Sequence, residues 1–146
     1  MEKTDLHHIA KIAFSSEFSF YLKAHQFHWN VTGQNFRQYH DLFGTIYEEV
    51  YGSIDDFAEK IRSLGTFMPG SYTRFSMLSK IEDEERILSD GEMIKELYQD
   101  NEKMIVILNK LYEASEASNT YGFSNFVAER IDAHAKHGWQ LKAVLS

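Results

Sequence analysis

His28, His40, Asp55 and Glu59 combine two imidazoles and two carboxylates at spacings of 12, 15 and 4 residues. That donor set suits a transition-metal ion such as iron or zinc better than magnesium or calcium, which prefer oxygen ligands. Asp55 and Glu59 stand one helical turn apart, with Cβ atoms separated by about 6 Å, so both carboxylates can reach one ion. The histidines are harder to place. If residues 36–64 form one helix, a rise of about 1.5 Å per residue puts His40 and Asp55 roughly 22 Å apart along the axis, and no single ion touches both. Either the two pairs are unrelated, or a second copy of the chain packs antiparallel across a two-fold axis, so that each end of the helix meets the opposite end of its partner. Taken singly, the acids also read as solvated charges beside Lys60 and Arg62, and His28 as a packed histidine.

The elements that must position these groups read as helices. There is one proline, Pro69, and little of the alternating pattern of strands. A first helix is expected from about Asp5 to Asn30, broken by Gly33. A second starts near Asn35, a plausible cap with Gln38 three residues on, and ends at Gly65. The connection from Thr66 to about Arg86 is long enough to need a small helix of its own, near Phe75, Met77 and Leu78. Ser89 and Glu92 fit a capping box that opens a third long helix through Tyr112, and a weak stretch at Ser118–Gly122 precedes a fourth, Phe126 to Leu145. Two helix pairs joined by one long crossover describe an all-α, ferritin-like four-helix bundle, with a short extra helix between helices 2 and 3. Residues 1–146 are expected to form a single domain. The second helix carries apolar residues around more than one stripe, including Tyr39, Phe43, Tyr47, Val50, Tyr51 and Ile54. A face that wide implies burial on two sides, in the bundle and at a subunit interface.

Composition narrows the partners. The 15 basic and 22 acidic residues give a net charge of −7, and cysteine is absent, which leaves His, Asp and Glu as the strong metal ligands. A surface of that sign concentrates cations and repels phosphate backbones, and the scattered lysines Lys3, Lys11 and Lys23 form no basic patch. Binding to nucleic acid is therefore not expected. Nothing reads as a signal peptide or a membrane span, so the default location is cytoplasmic.

The stretch KAHQFHWNVTGQNFRQYHDLFGTIYEEVYGSIDDFAEKIRSLG, residues 23–65, resembles the signature of the Dps proteins, the mini-ferritins named as DNA-binding proteins from starved cells. The resemblance continues through SKIEDEERILSDGEMIKEL, residues 79–97, and AERIDAHAKHGWQLKAVL near the end. It implies a homo-dodecameric shell, built from two-fold dimers, that oxidises Fe(II) with peroxide or dioxygen and stores the ferric product, protecting against oxidative damage. The implied ferroxidase centre lies at the dimer interface, with His28 and His40 from one subunit and Asp55 and Glu59 from the other; zinc could substitute for iron. Trp29 matches a tryptophan beside that centre, read either as a one-electron donor or as a packed indole.

One residue departs from the family pattern. Gly44 stands one turn after His40, where the resemblance implies Asp or Glu, so a second ion is expected to bind weakly and activity to be reduced. Asp41 or Glu48 could compensate, and a carboxylate restored at position 44 is expected to tighten the second ion. Glu116 and Glu129 are candidates for an acidic pore, while His134 and His137 read as structural or surface groups, and His7 and His8 as a frayed terminus more readily than an accessory metal site. Two other functions compete: a DNA-compacting nucleoid protein, against which the missing basic extension speaks, and a ferritin-like structural shell that Gly44 has weakened catalytically.

Overall fold

The computed structural model describes residues 3–145. Its elements are α1 (Lys3–Asn30), α2 (Phe36–Ser63), α3 (Tyr72–Leu78), α4 (Asp90–Ala117) and α5 (Tyr121–Leu145). Leu6, Ala10, Ala13, Phe14, Phe20, Ala24 and Phe27 recur at helical spacing and are buried along α1. Asp5 in its first turn complements the helix dipole favourably. α1 and α2 form one antiparallel hairpin and α4 and α5 another. α1 packs on α4 and, through α3, on the crossover. This is the ferritin-like four-helix bundle with a short extra helix.

Two glycines end helices through positive φ. Gly33, at 115°, turns the chain between α1 and α2, and Gly65, at 96°, follows α2 with its N–H on the Arg62 carbonyl. At the start of α4 the Ser89 hydroxyl accepts from the Glu92 N–H and the Glu92 carboxylate accepts from the Ser89 N–H, closing the expected capping box. Asn35 precedes α2 without any side-chain cap bond, contrary to its expected role. The first helix is not frayed at His7, whose Nε2 lies 3.0 Å from the Leu64 carbonyl at the end of α2.

The break between the last two helices is shorter than expected. Asn119, at a φ of 59°, makes the turn, α4 runs on to Ala117 and α5 begins at Tyr121 instead of Phe126. Buried contacts hold this added turn in the helix: Phe123 packs inward, and the Ser124 and Ser115 hydroxyls share a buried 2.5 Å hydrogen bond. The crossover is strapped to α1 by the Lys80 N–H on Ser16 Oγ at 2.9 Å and by Gln26 Nε2 on the Glu84 carbonyl at 2.9 Å. Phe75 of α3 packs 4.8 Å from Phe18 and 5.9 Å from Phe14, ring centre to ring centre.

Candidate metal centre

The α1–α2 hairpin brings its two histidines together at its closed end. His28 Nδ1 lies 2.8 Å from the His40 carbonyl, and His40 Nδ1 lies 2.7 Å from the His28 carbonyl. A carbonyl only accepts, so both Nδ1 atoms must carry the proton, and the lone pair of each ring is left on Nε2. That is the tautomer a metal ligand needs, fixed by a backbone acceptor behind each ring. The rings stack at 3.7 Å and 18°, half-buried. The His28 carbonyl belongs to the last turn of α1, whose carbonyls lack helical partners, so the bond from His40 also serves the helix end.

Asp55 and Glu59 lie exposed toward the far end of the same helix as His40. α2 is unbroken over its 28 residues, so the axial separation of about 22 Å deduced from helix rise stands. Among the described residues, no three His, Asp or Glu side chains of one chain converge on a common metal position. Within one chain the imidazole pair and the carboxylate pair therefore lie apart, and the donor chemistry of the two types together fits iron.

Gly44 is buried, and a Cβ built on it would meet His28 Cε1 and Nδ1 at 3.2 Å. The glycine therefore gives the imidazole room to reach the His40 carbonyl. A carboxylate placed at 44 to tighten the second ion would therefore need the His28 ring to give by a few tenths of an ångström. Overpacking here costs about 1–3 kcal/mol, against a helix-propensity gain of at most about 1 kcal/mol on replacing glycine. We expect Gly44→Glu to lower the melting temperature and weaken binding of the first divalent ion; titration calorimetry with Zn(II) showing tighter binding at two ions per site would contradict this.

The other sequence candidates are dispersed. Asp41 is exposed at the start of α2, and its carbonyl accepts from Thr45 Oγ1 at 3.1 Å. Glu48 and Glu129 line one groove of about 430 Å³ between α2 and α5 with Asp56. Glu116 stands apart near the end of α4, where its carboxylate raises the pKa of the Tyr112 phenol. Trp29 is 59% exposed and lies 4.2 Å from the His25 ring.

A second polar cluster lies inside the bundle. His134 is fully buried, with Nδ1 2.8 Å from Asn101 Oδ1 and Nε2 2.6 Å from Glu17 Oε1. His137 Nε2 lies 2.7 Å from Glu49 Oε1. Arg130 binds Glu49 with both terminal nitrogens, and its Nε faces Glu17 Oε2 at 3.6 Å. Burial pushes both carboxyls up, but His134 and Arg130 hold Glu17 below the ordinary carboxylate range, and hydrogen bonds from His137 and Arg130 bring Glu49 to about 2. Burial depresses His137, outweighing its bond to Glu49. Of the two readings given for His134 and His137, structural or surface, burial removes the second. No spacing signal marks Glu17, Glu49 and Arg130, which lie on three helices.

A family model described as ferritin-like domain matches residues 12–146. DNA protection during starvation protein 2 of Bacillus anthracis is 29% identical over 126 residues, covering 86% of this chain and 86% of that protein. The structure of Dps from Staphylococcus aureus matches with a TM-score of 0.93 and 26% identity, over 98% of this chain and 96% of that one. A Dps protein from Vibrio cholerae O1, described as a member of a broad superfamily of ferritin-like diiron-carboxylate proteins, shares the fold at a TM-score of 0.93 and 21% identity, over 99% of this chain and 91% of that one. With the two hairpins, the short crossover helix and a family match over nearly all its length, the chain belongs to the ferritin-like family, in its Dps branch.

Proposed function

We propose that this chain is the single-domain subunit of a Dps-type mini-ferritin, a cytoplasmic homo-dodecamer built from two-fold dimers, that oxidises Fe(II) with peroxide or dioxygen and stores the ferric product. The observation that carries this reading is the reciprocal pair of hydrogen bonds, which leaves an Nε2 lone pair on both His28 and His40 for an ion. Asp55 and Glu59 of a partner, packed antiparallel along α2, complete the centre. Neutral imidazoles suit Fe(II), and anionic oxygens suit the harder Fe(III), so a mixed set binds the substrate and lets the product move on. The exposed Tyr51, Phe36 and Trp29 along this face fit burial against the partner.

The chain's own residues do three things in this reaction. His28 and His40 bind the ion in a tautomer fixed before it arrives, the acids balance its charge, and the net charge of −7 concentrates cations near the shell. Anaerobic Fe(II) added to the purified protein with peroxide should give the absorbance of ferric species well above a protein-free control, at a sedimentation coefficient matching twelve subunits. A protein that leaves the Fe(II) unoxidised, or that sediments as a monomer under all conditions, defeats the proposal.

A further inference from the structure

The buried polar cluster draws on all four long helices: Glu17 from α1, Glu49 from α2, Asn101 from α4, and Arg130, His134 and His137 from α5. Two carboxylates and two imidazoles thus meet within one chain, but they close on the guanidinium of Arg130 and leave no open metal position. Among the described residues, the buried polar atoms with no hydrogen-bond partner include Glu17 Oε2, Arg130 Nε and His137 Nδ1, all in this cluster. The guanidinium therefore satisfies its surroundings incompletely, which is uncommon for groups buried so deeply.

The hydrogen bonds also fix the charges. Asn101 Nδ2 donates to the His134 carbonyl at 2.8 Å, so Oδ1 is the accepting atom of that amide and His134 Nδ1 donates to it. Nε2 of the same ring donates to the Glu17 carboxylate, which makes His134 an imidazolium. Two negative carboxylates are then balanced by two positive charges, the guanidinium and the extra proton of His134. One divalent ion brings the same two charges. With the guanidinium gone and the His134 Nε2 proton released, such an ion would take Glu17, Glu49 and the freed Nε2 as ligands and leave the balance unchanged.

Access is not the obstacle. Glu48, Glu49, Asp56 and Glu129 line the groove of about 430 Å³ between α2 and α5, and Arg130 lies in its wall. Acids in that position concentrate cations next to the guanidinium.

We propose that Arg130 is the resident cation of a metal-ligand set inside the bundle, and that by filling it the residue keeps Fe(II) and other divalent ions out of the core. The test is metal binding by Arg130→Ser, made in a chain that also carries His28→Ala/His40→Ala, so that the result does not depend on the ferroxidase reading. Zn(II) calorimetry should show one ion per chain that the Arg130 parent does not bind, with a buffer-dependent heat reporting one proton released. Co(II) should give visible d–d bands in the variant and none in the parent. Zn(II) should also raise the melting temperature of Arg130→Ser, since an ion that binds only the folded chain stabilises it. Arg130→Lys, which keeps a cation in place, should behave as the parent does. Adding Glu17→Gln to Arg130→Ser should weaken the new site by about 10–100-fold. Equal Zn(II) binding by parent and Arg130→Ser, or binding that Glu17→Gln leaves untouched, overturns the proposal. An Arg130→Ser chain that folds only with Zn(II) present supports it, and one that stays unfolded at saturating Zn(II), or folds and binds no ion, overturns it.

Discussion

His28→Ala/His40→Ala and Asp55→Ala/Glu59→Ala shells should each be inactive, and dissociating, mixing and reassembling the two should restore activity. In a mixed dimer, one centre receives the altered imidazole pair and the altered acids, and the other receives both intact pairs. Random pairing therefore returns about one quarter of the wild-type centres. The expectation follows from α2 being one unbroken helix that carries His40 and Asp55 about 22 Å apart. Anaerobic Fe(II) binding and initial oxidation rate are the measurements. Verified mixed dimers with no recovery would sink the shared centre, and activity in either parent shell would show that one half-site suffices.

Arg130→Leu should be the most destabilising single change in the bundle. Its guanidinium faces Glu49 with two nitrogens and Glu17 with the third, and Glu17 is fully buried. Removing one partner of a buried ion pair costs about 3–5 kcal/mol, because a charge is left without its counter-ion in low dielectric. Adding Glu17→Gln removes one of the stranded charges, so the double variant should recover part of the loss; chemical denaturation of all three proteins measures the coupling. The same cluster sets an acid limit. Glu17 and Glu49 have folded pKa values below the unfolded one, so their stabilisation is present above about pH 4.5 and is lost as pH falls, for Glu49 toward 2. His137 is also lowered, so the unfolded state takes up its proton first and stability declines below pH 6.5 as well. Both slopes run the same way, and stability should fall monotonically from pH 6.5 to 2. A midpoint that is flat over that range, or an Arg130→Leu variant as stable as the wild type, contradicts the account.

The readable parts of this fold are those with local causes. Gly33 and Gly65 end helices through backbone conformations that other residues resist, and Ser89 with Glu92 closes a box within four residues. The start of α5 was hidden because Gly122 and the polar residues around it look like a break, while the contact that keeps them helical, Ser124 on Ser115, comes from the other helix. At the candidate centre, residue type and spacing single out His28 and His40, but not the reciprocal bonds that fix their tautomers, nor that the His28 ring lies against Gly44. The charged members of the buried cluster are not legible for a different reason: Glu17 and Arg130 are 113 positions apart, and a buried charge on a helix is spelled like an exposed one.

The short separation of the two histidines has a kinetic consequence. They meet across a turn of a few residues, and the entropy of closing so small a loop is low, so contacts of this kind form early in folding. In the proposed shell the paired acids would arrive only when a second chain docks, a step that is bimolecular and slows on dilution. An unassembled subunit thus carries its imidazole half-site ready-made, and in the proposed shell the order of construction is set by topology: imidazoles first within each chain, carboxylates last, at the moment of dimerisation.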